Sequence, residues 1–162
     1  MWYLKPHQQT IRKLNMIYLA GPISGLTFEQ SNTWRKEMED NFPGQCLNPL
    51  LEKDKKELDD NPEENAVFSD GKALGNIADQ FFMRDIYWVD KCSIMLANFT
   101  NKPDQLGGGT VFEIGYAKGL RTKRVIVVGP KENITLFVIK SADIHFETLA
   151  EAIVFLKETY VG

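Results

Sequence analysis

Glu113 stands four residues after the last of three consecutive glycines, in Gly107-Gly108-Gly109-Thr110-Val111-Phe112-Glu113. A Gly-rich turn that opens a helix ordinarily presents free backbone N–H groups to an anion. Here the chain supplies a carboxylate of its own, and two readings are open. Thr110-x-x-Glu113 has the form of a capping box, with the threonine oxygen capping the first turn and the glutamate reaching back to its N–H. A carboxylate in a first turn also suits the helix dipole. The other reading uses the glycines, which remove side chains where something must come close. The N–H groups would then hold Glu113 ionised. A carboxylate of low pKa is a poor general base, but it suits nucleophilic attack on an oxocarbenium-like carbon.

Asp85 lies inside an expected helix, in Phe82-Met83-Arg84-Asp85-Ile86-Tyr87. Asp is a poor helix-interior residue, so it should be exposed or used. Asp90 lies near the end of the same helix, where a carboxylate opposes the dipole. Either acid taken alone reads better as a solvated surface group. Gly21-Pro22-Ile23-Ser24-Gly25 joins a strand to a helix. It lacks the three spaced glycines of the dinucleotide fingerprint, and by itself it is a tight turn. His7 and His145 are far apart, and neither has a cysteine or second histidine nearby, which argues against zinc. Cys46 and Cys92 lack ligand spacing and sit in apolar, strand-like runs, as buried reduced thiols would.

The elements that must position these residues follow from the apolar pattern. Met16–Ala20 reads as a buried strand ended by Gly21-Pro22. Residues 27–41 read as a helix with Thr27 and Gln30 in a capping box. Residues 45–49 read as a short strand stopped by Pro49. Residues 73–92 have apolar side chains at helical spacing, including Ile77, Phe81, Ile86 and Val89. Further strands are expected at 93–99, 124–129 and 142–146, with helices at 110–121 and 147–160. This alternation predicts one α/β domain, a five-stranded parallel sheet with helices on both faces, in a flavodoxin-like or Rossmann-like layout. Ligands of such sheets bind beyond the carboxyl ends of the strands. The loops at 21–25, 99–109 and 129–133 fall there.

The chain has 162 residues, a formal net charge of -3, 43% hydrophobic and 25% charged residues. That suits one soluble domain and gives no electrostatic footprint for nucleic acid or an anionic membrane. The first 15 residues have polar residues throughout and no apolar core of signal-peptide length, and read as an extension preceding a domain at 16–162. No run is long enough to span a bilayer. A cytoplasmic location is the default expectation. Residues 52–65 are nearly all polar, inside a polar insertion at about 50–75.

Three segments together resemble the nucleoside 2-deoxyribosyltransferase family: Ile17–Gly25, Met83–Phe99 and Gly108–Val128. The Gly-Thr-x-x-Glu-x-Gly-x-Ala block of Gly109–Ala117 carries most of the specificity. Deoxynucleoside-monophosphate N-glycosidases are similar in layout. The resemblance implies that Glu113 is the nucleophile that attacks the anomeric carbon and holds a deoxyribosyl ester. It implies that Asp85 interacts with the nucleobase and helps protonate it, and that Tyr18 orients the nucleophile. Asn133 falls where the family places an asparagine that reaches a neighbouring subunit's sugar hydroxyl. Gly21, Pro22, Ser24, Gly25, Gly108, Gly109 and Thr110 would line the substrate. Some transferases have an aspartate six residues before the nucleophile. This chain has Gly107 there, with Asp104 out of register.

The function expected is therefore N-deoxyribosyl transfer between nucleobases through a covalent glycosyl-glutamate. One alternative is hydrolysis of the same bond in a 2′-deoxynucleoside 5′-monophosphate, with a phosphate pocket from Ser24, Gly25 and Gly108. Another is a nucleotide-binding module without turnover, in which Glu113 is only a cap. Neither metal nor organic cofactor is required. The expected partners are a small deoxynucleoside or deoxynucleotide, a free nucleobase, and further copies of the chain in a homodimer or higher oligomer.

Overall fold

Every side chain of strand β1, Ile17–Ala20, is buried. A strand buried on both faces must be central, and β1 pairs in parallel with β2 (Cys46–Leu47) on one side and β3 (Ile94–Asn98) on the other. β4 (Arg124–Val128) and β5 (Ile144–Phe146) extend the sheet beyond β3, all parallel. The order β2-β1-β3-β4-β5 is that of flavodoxin-like folds. The computed structural model describes residues 15–23, 26–50, 75–101 and 108–160, with side chains from Phe82 onward in the third segment. The extension at 1–15 (but for Asn15), most of the 50–75 insertion, Ser24, Gly25, Asp104, Gly107, His7 and the side chains of Ile77 and Phe81 lie outside the described residues.

Alternation along the strands sorts the core into two layers. Tyr18, Ala20, Met95, Ala97, Val125 and Val127 face helices α2 (Gly75–Lys91), α3 (Gly108–Gly119) and α4 (Leu136–Ser141). Ile17, Leu19, Ile94, Leu96, Ile126 and Val128 face α1 (Phe28–Asn41) and α5 (Leu149–Tyr160). Each fully buried aliphatic side chain contributes about 1.5–3 kcal/mol, so both faces must be covered for the sheet to persist.

Local chemistry sets the helix ends. Thr27 and Gln30 form the expected capping box of α1, with Gln30 N–H donating to Thr27 Oγ1 at 3.2 Å and Thr27 N–H to Gln30 Oε1 at 2.9 Å. Thr148 and Glu151 do the same ahead of α5. Gly129 ends β4 at φ +136°, where a Cβ would lie 2.8 Å from the carbonyl carbon of Phe99.

Three details depart from the sequence reading. β2 is only two residues long, because Asn48 turns its amide to Asn32 and Glu39 and its oxygen to the N–H of Leu50. Helix α4 lies in a stretch read without structure; Thr135 caps it, accepting from the N–H of Val138. Helix α3 begins at Gly108 rather than Thr110, which changes the reading of Glu113 below.

Candidate active site

The helices that follow β1 and β3 leave the sheet on opposite faces, α1 toward one layer and α3 toward the other. In open parallel sheets ligands bind in the crevice at such a divergence, which here lies outside the carboxyl ends of β1 and β3. Tyr18 lies on β1 with no solvent exposure. Its hydroxyl donates to Glu113 Oε1 at 2.8 Å, joining β1 to α3 across 95 residues of sequence.

Glu113 is the sixth residue of α3, and the first turn holds no acid. The expected capping box with Thr110 is therefore not formed. Thr110 lies inside the first turn, buried, and Glu113 is held by Tyr18 instead. Nor does Glu113 lie in the first turn, where the helix N-terminus was expected to keep it ionised. Burial pushes the Glu113 carboxyl up to about 7, and the charge of Asp85 adds to the rise. The Tyr18 hydrogen bond and the Arg35 charge oppose it without cancelling it. The Tyr18 phenol is driven far above its usual range, by burial first and then by Glu113 and Asp85. It thus remains a donor at any working pH.

Asp85 lies part-buried on α2, paired with Arg84 at 2.9 Å. Arg84 also donates to the carbonyl of Pro49 at 2.8 Å and lies 4.9 Å from the centre of the Trp88 ring. The acid on α2 is thereby anchored to the exit of β2. Asp90 is exposed and accepts from the Tyr116 hydroxyl at 3.0 Å, as a surface group does. Gly21 is buried where a Cβ would lie 2.9 Å from the Trp34 ring and 3.1 Å from the carbonyl oxygen of Asn98. Pro22 follows it, also buried. Gly108 and Gly109 are exposed, and a Cβ added at either would meet no atom of the described residues within 4 Å.

Asn133 ends a 3-10 turn, Lys131–Asn133, after β4. Its amide donates to the carbonyl of Phe99 at 3.1 Å, with Thr100 O at 3.5 Å. Within the chain it ties the β4 exit to the β3 exit rather than reaching outward. Both cysteines are free; Cys92 is buried, whereas Cys46 is only partly so. Burial raises their thiols to about 11 and about 12. Neither is a nucleophile near neutrality.

Two arginines were missed from the sequence. Arg84 could have been found as the neighbour of Asp85. Arg35 falls on the buried stripe of α1 with Phe28, Ser31 and Met38, where a cation is out of place. It is fully buried, and its charge reaches Tyr18, Glu113 and Asp85.

The fold and this geometry define an α/β protein with a buried phenol bonded to a part-buried carboxylate, and a second acid nearby. A family model for nucleoside 2-deoxyribosyltransferase matches residues 17–142. The chain belongs to that family. Among solved structures, the 2-desoxiribosyltransferase from Leishmania mexicana is similar in fold, with a TM-score of 0.59 and 17% sequence identity over 90% of this chain and 99% of that one. No match to a curated protein was found. No described helix is long and apolar enough to cross a membrane.

Proposed function

We propose that this protein transfers a 2-deoxyribosyl group between nucleobases through an ester on Glu113. The observation that carries the reading is the 2.8 Å bond by which Tyr18, on β1, holds Glu113, on α3, within the family match. Tyr18 occupies Oε1, which leaves Oε2 for C1′. In the first step the Oε2–C1′ bond forms as the bond from C1′ to the base nitrogen breaks. The electron pair of that bond leaves on the base, which gains a proton with the help of Asp85. A second base then attacks C1′, its N–H proton returns by way of Asp85, and Glu113 departs as carboxylate. A glutamate titrating near neutrality is ionised often enough to attack, and it is a better leaving group than an alkoxide.

The start of α3 favours one second reading. With Glu113 displaced to the second turn, the exposed Gly108-Gly109 end has no side-chain acid of its own. Its N–H groups suit an anion. A 5′-monophosphate would fit that chemistry, and water would replace the acceptor base.

The reading also includes a homodimer or higher oligomer. Phe82, Met83, Tyr87 and Phe112 are more than half exposed on α2 and α3, beside the two acids. Phe82 and Phe112 lie 5.7 Å apart, ring centre to ring centre. Incubation with deoxynucleosides and with their 5′-monophosphates, each with and without a free base, tests the proposal. A new nucleoside in the presence of acceptor is the expected product. Free sugar phosphate alone would favour the second reading, and no bond cleavage in any arm would defeat both.

A further inference from the structure

Arg35 is the largest fully buried side chain in the described protein. It makes no ion pair with any described carboxylate. Its donors go instead to main-chain carbonyls. Nε donates to Leu19 at 3.3 Å, Nη2 to Gly21 at 3.1 Å, and Nη1 to Ser31. The guanidinium carbon lies 4.4 Å from the centre of the Trp34 ring, and that ring packs against Gly21. A buried cation is costly, and an apolar residue would suit a core better. What it gains is control of the β1 exit. The carbonyls of Leu19 and Gly21 lie just beyond Tyr18, and the fork ties them to the first turn of α1. A planar guanidinium can span such carbonyls, whereas an ammonium cannot do so in the same geometry.

We infer that Arg35 is a positioning residue: its fork fixes the backbone that follows Tyr18 on β1 and leads into the Gly21-Pro22 loop, and with it the phenol that holds Glu113. The inference rests on Glu113 being the nucleophile proposed above. The groups that share this field are Tyr18 on β1, Glu39 on α1, Asp85 on α2 and Glu113 on α3. Burial, with Asp85, raises the Glu113 carboxyl, while Arg35 holds it down. Loss of the positive charge therefore raises it further. The ionised form attacks, so the acid limb of the rate profile moves to higher pH.

Arg35→Gln removes the charge but keeps a donor; Arg35→Lys keeps the charge but loses the fork. Both are made in the full chain, checked for folding by circular dichroism, and assayed for deoxynucleoside cleavage across the acid and neutral range. The glutamine variant is expected to shift the acid limb upward by about one unit, a roughly tenfold loss below the limb. The lysine variant is expected to keep the limb and raise KM several-fold. Folded variants with wild-type limb and KM would overturn the inference. So would equal losses in both variants with an unmoved limb, which is what a merely structural role produces. Carbon-13 NMR titration of Glu113, assigned by Glu113→Gln, reads the same shift without turnover. If the wild type cleaves nothing, the proposed function fails, and the titration alone decides the role of Arg35. If Arg35→Gln does not fold, Arg35→Lys decides it: a wild-type limb with a KM raised several-fold supports the inference, and a wild-type KM overturns it.

Discussion

Glu113 and Tyr18 are joined by one hydrogen bond, and the proposed role of each can be tested alone. Glu113→Gln should abolish sugar transfer while the fold survives, as measured by product formation and circular dichroism. The same variant has a stability signature. A carboxyl raised in the folded state binds more protons than it does unfolded, between the ordinary value of 4.5 and about 7. Its favourable contribution is present below that window and is lost as pH rises through it. Each unit is about 1.4 kcal/mol, so on the order of 3 kcal/mol is the most it can supply. The wild type should lose stability relative to Glu113→Gln as pH rises from acid to neutral in chemical denaturation. Tyr18→Phe removes a hydrogen bond to a charged group, worth about 1.5–3 kcal/mol. It should cost about tenfold to a hundredfold in rate near neutrality, and its acid limb should move to higher pH. A variant with the wild-type pH profile would mean that Tyr18 does not set the state of Glu113.

At the scale of elements, the sequence was most legible where one face or one cap decides the outcome. The apolar runs at 16–20, 93–99 and 124–129 became the three central strands, and Thr27 with Gln30 capped α1 as read. The Thr110–Glu113 spacing was misread because local pattern cannot register a tertiary bond. The Tyr18 hydroxyl, 95 residues away, takes the glutamate that a capping box would have used. Arg35 was illegible for a related reason: a cation on a buried stripe makes sense only when the carbonyls of Leu19 and Gly21 turn toward it. Helix α4 was passed over because its six residues are too few for periodicity to show. Gly129 tests how firmly the β4 exit is built. Gly129→Ala must adopt φ +136° and press its methyl on the Phe99 carbonyl. Strain of this kind costs about 1–3 kcal/mol, and the melting temperature should fall accordingly. An unchanged Tm would show that the exit relaxes freely.

For the molecule as a whole, the sheet order places the two candidate acids and the phenol on three different elements around one crevice. Their relation depends on the packing of α2 and α3 against the same side of the sheet. The exposed aromatic residues Phe82 and Phe112 belong to those two helices, so burial of that face would also stiffen the crevice. Sedimentation equilibrium should give a dimer or a multiple of it. A Phe82→Glu, Phe112→Glu double variant should sediment as a monomer, and its activity should fall with the loss of the oligomer. A wild-type protein that is monomeric and fully active would remove the oligomer from the proposal.

Trp34 packs against Gly21 and lies over Arg35, and Trp88 lies beside Arg84, the partner of Asp85. Each indole therefore touches one of the cations that flank the crevice, on opposite layers of the sheet. An indole's emission responds to charge and dipole at that range, so two of the three tryptophans, the two among the described residues, are optical reporters of the site. Saturating deoxynucleoside should change the intrinsic emission. Trp34→Phe should remove the part that reports the β1 loop, and Trp88→Phe the part that reports the neighbourhood of Asp85. Stopped-flow records of the two variants would then separate the arrival of the sugar from the departure of the base. Identical traces from both would mean that the two sides of the crevice respond as one.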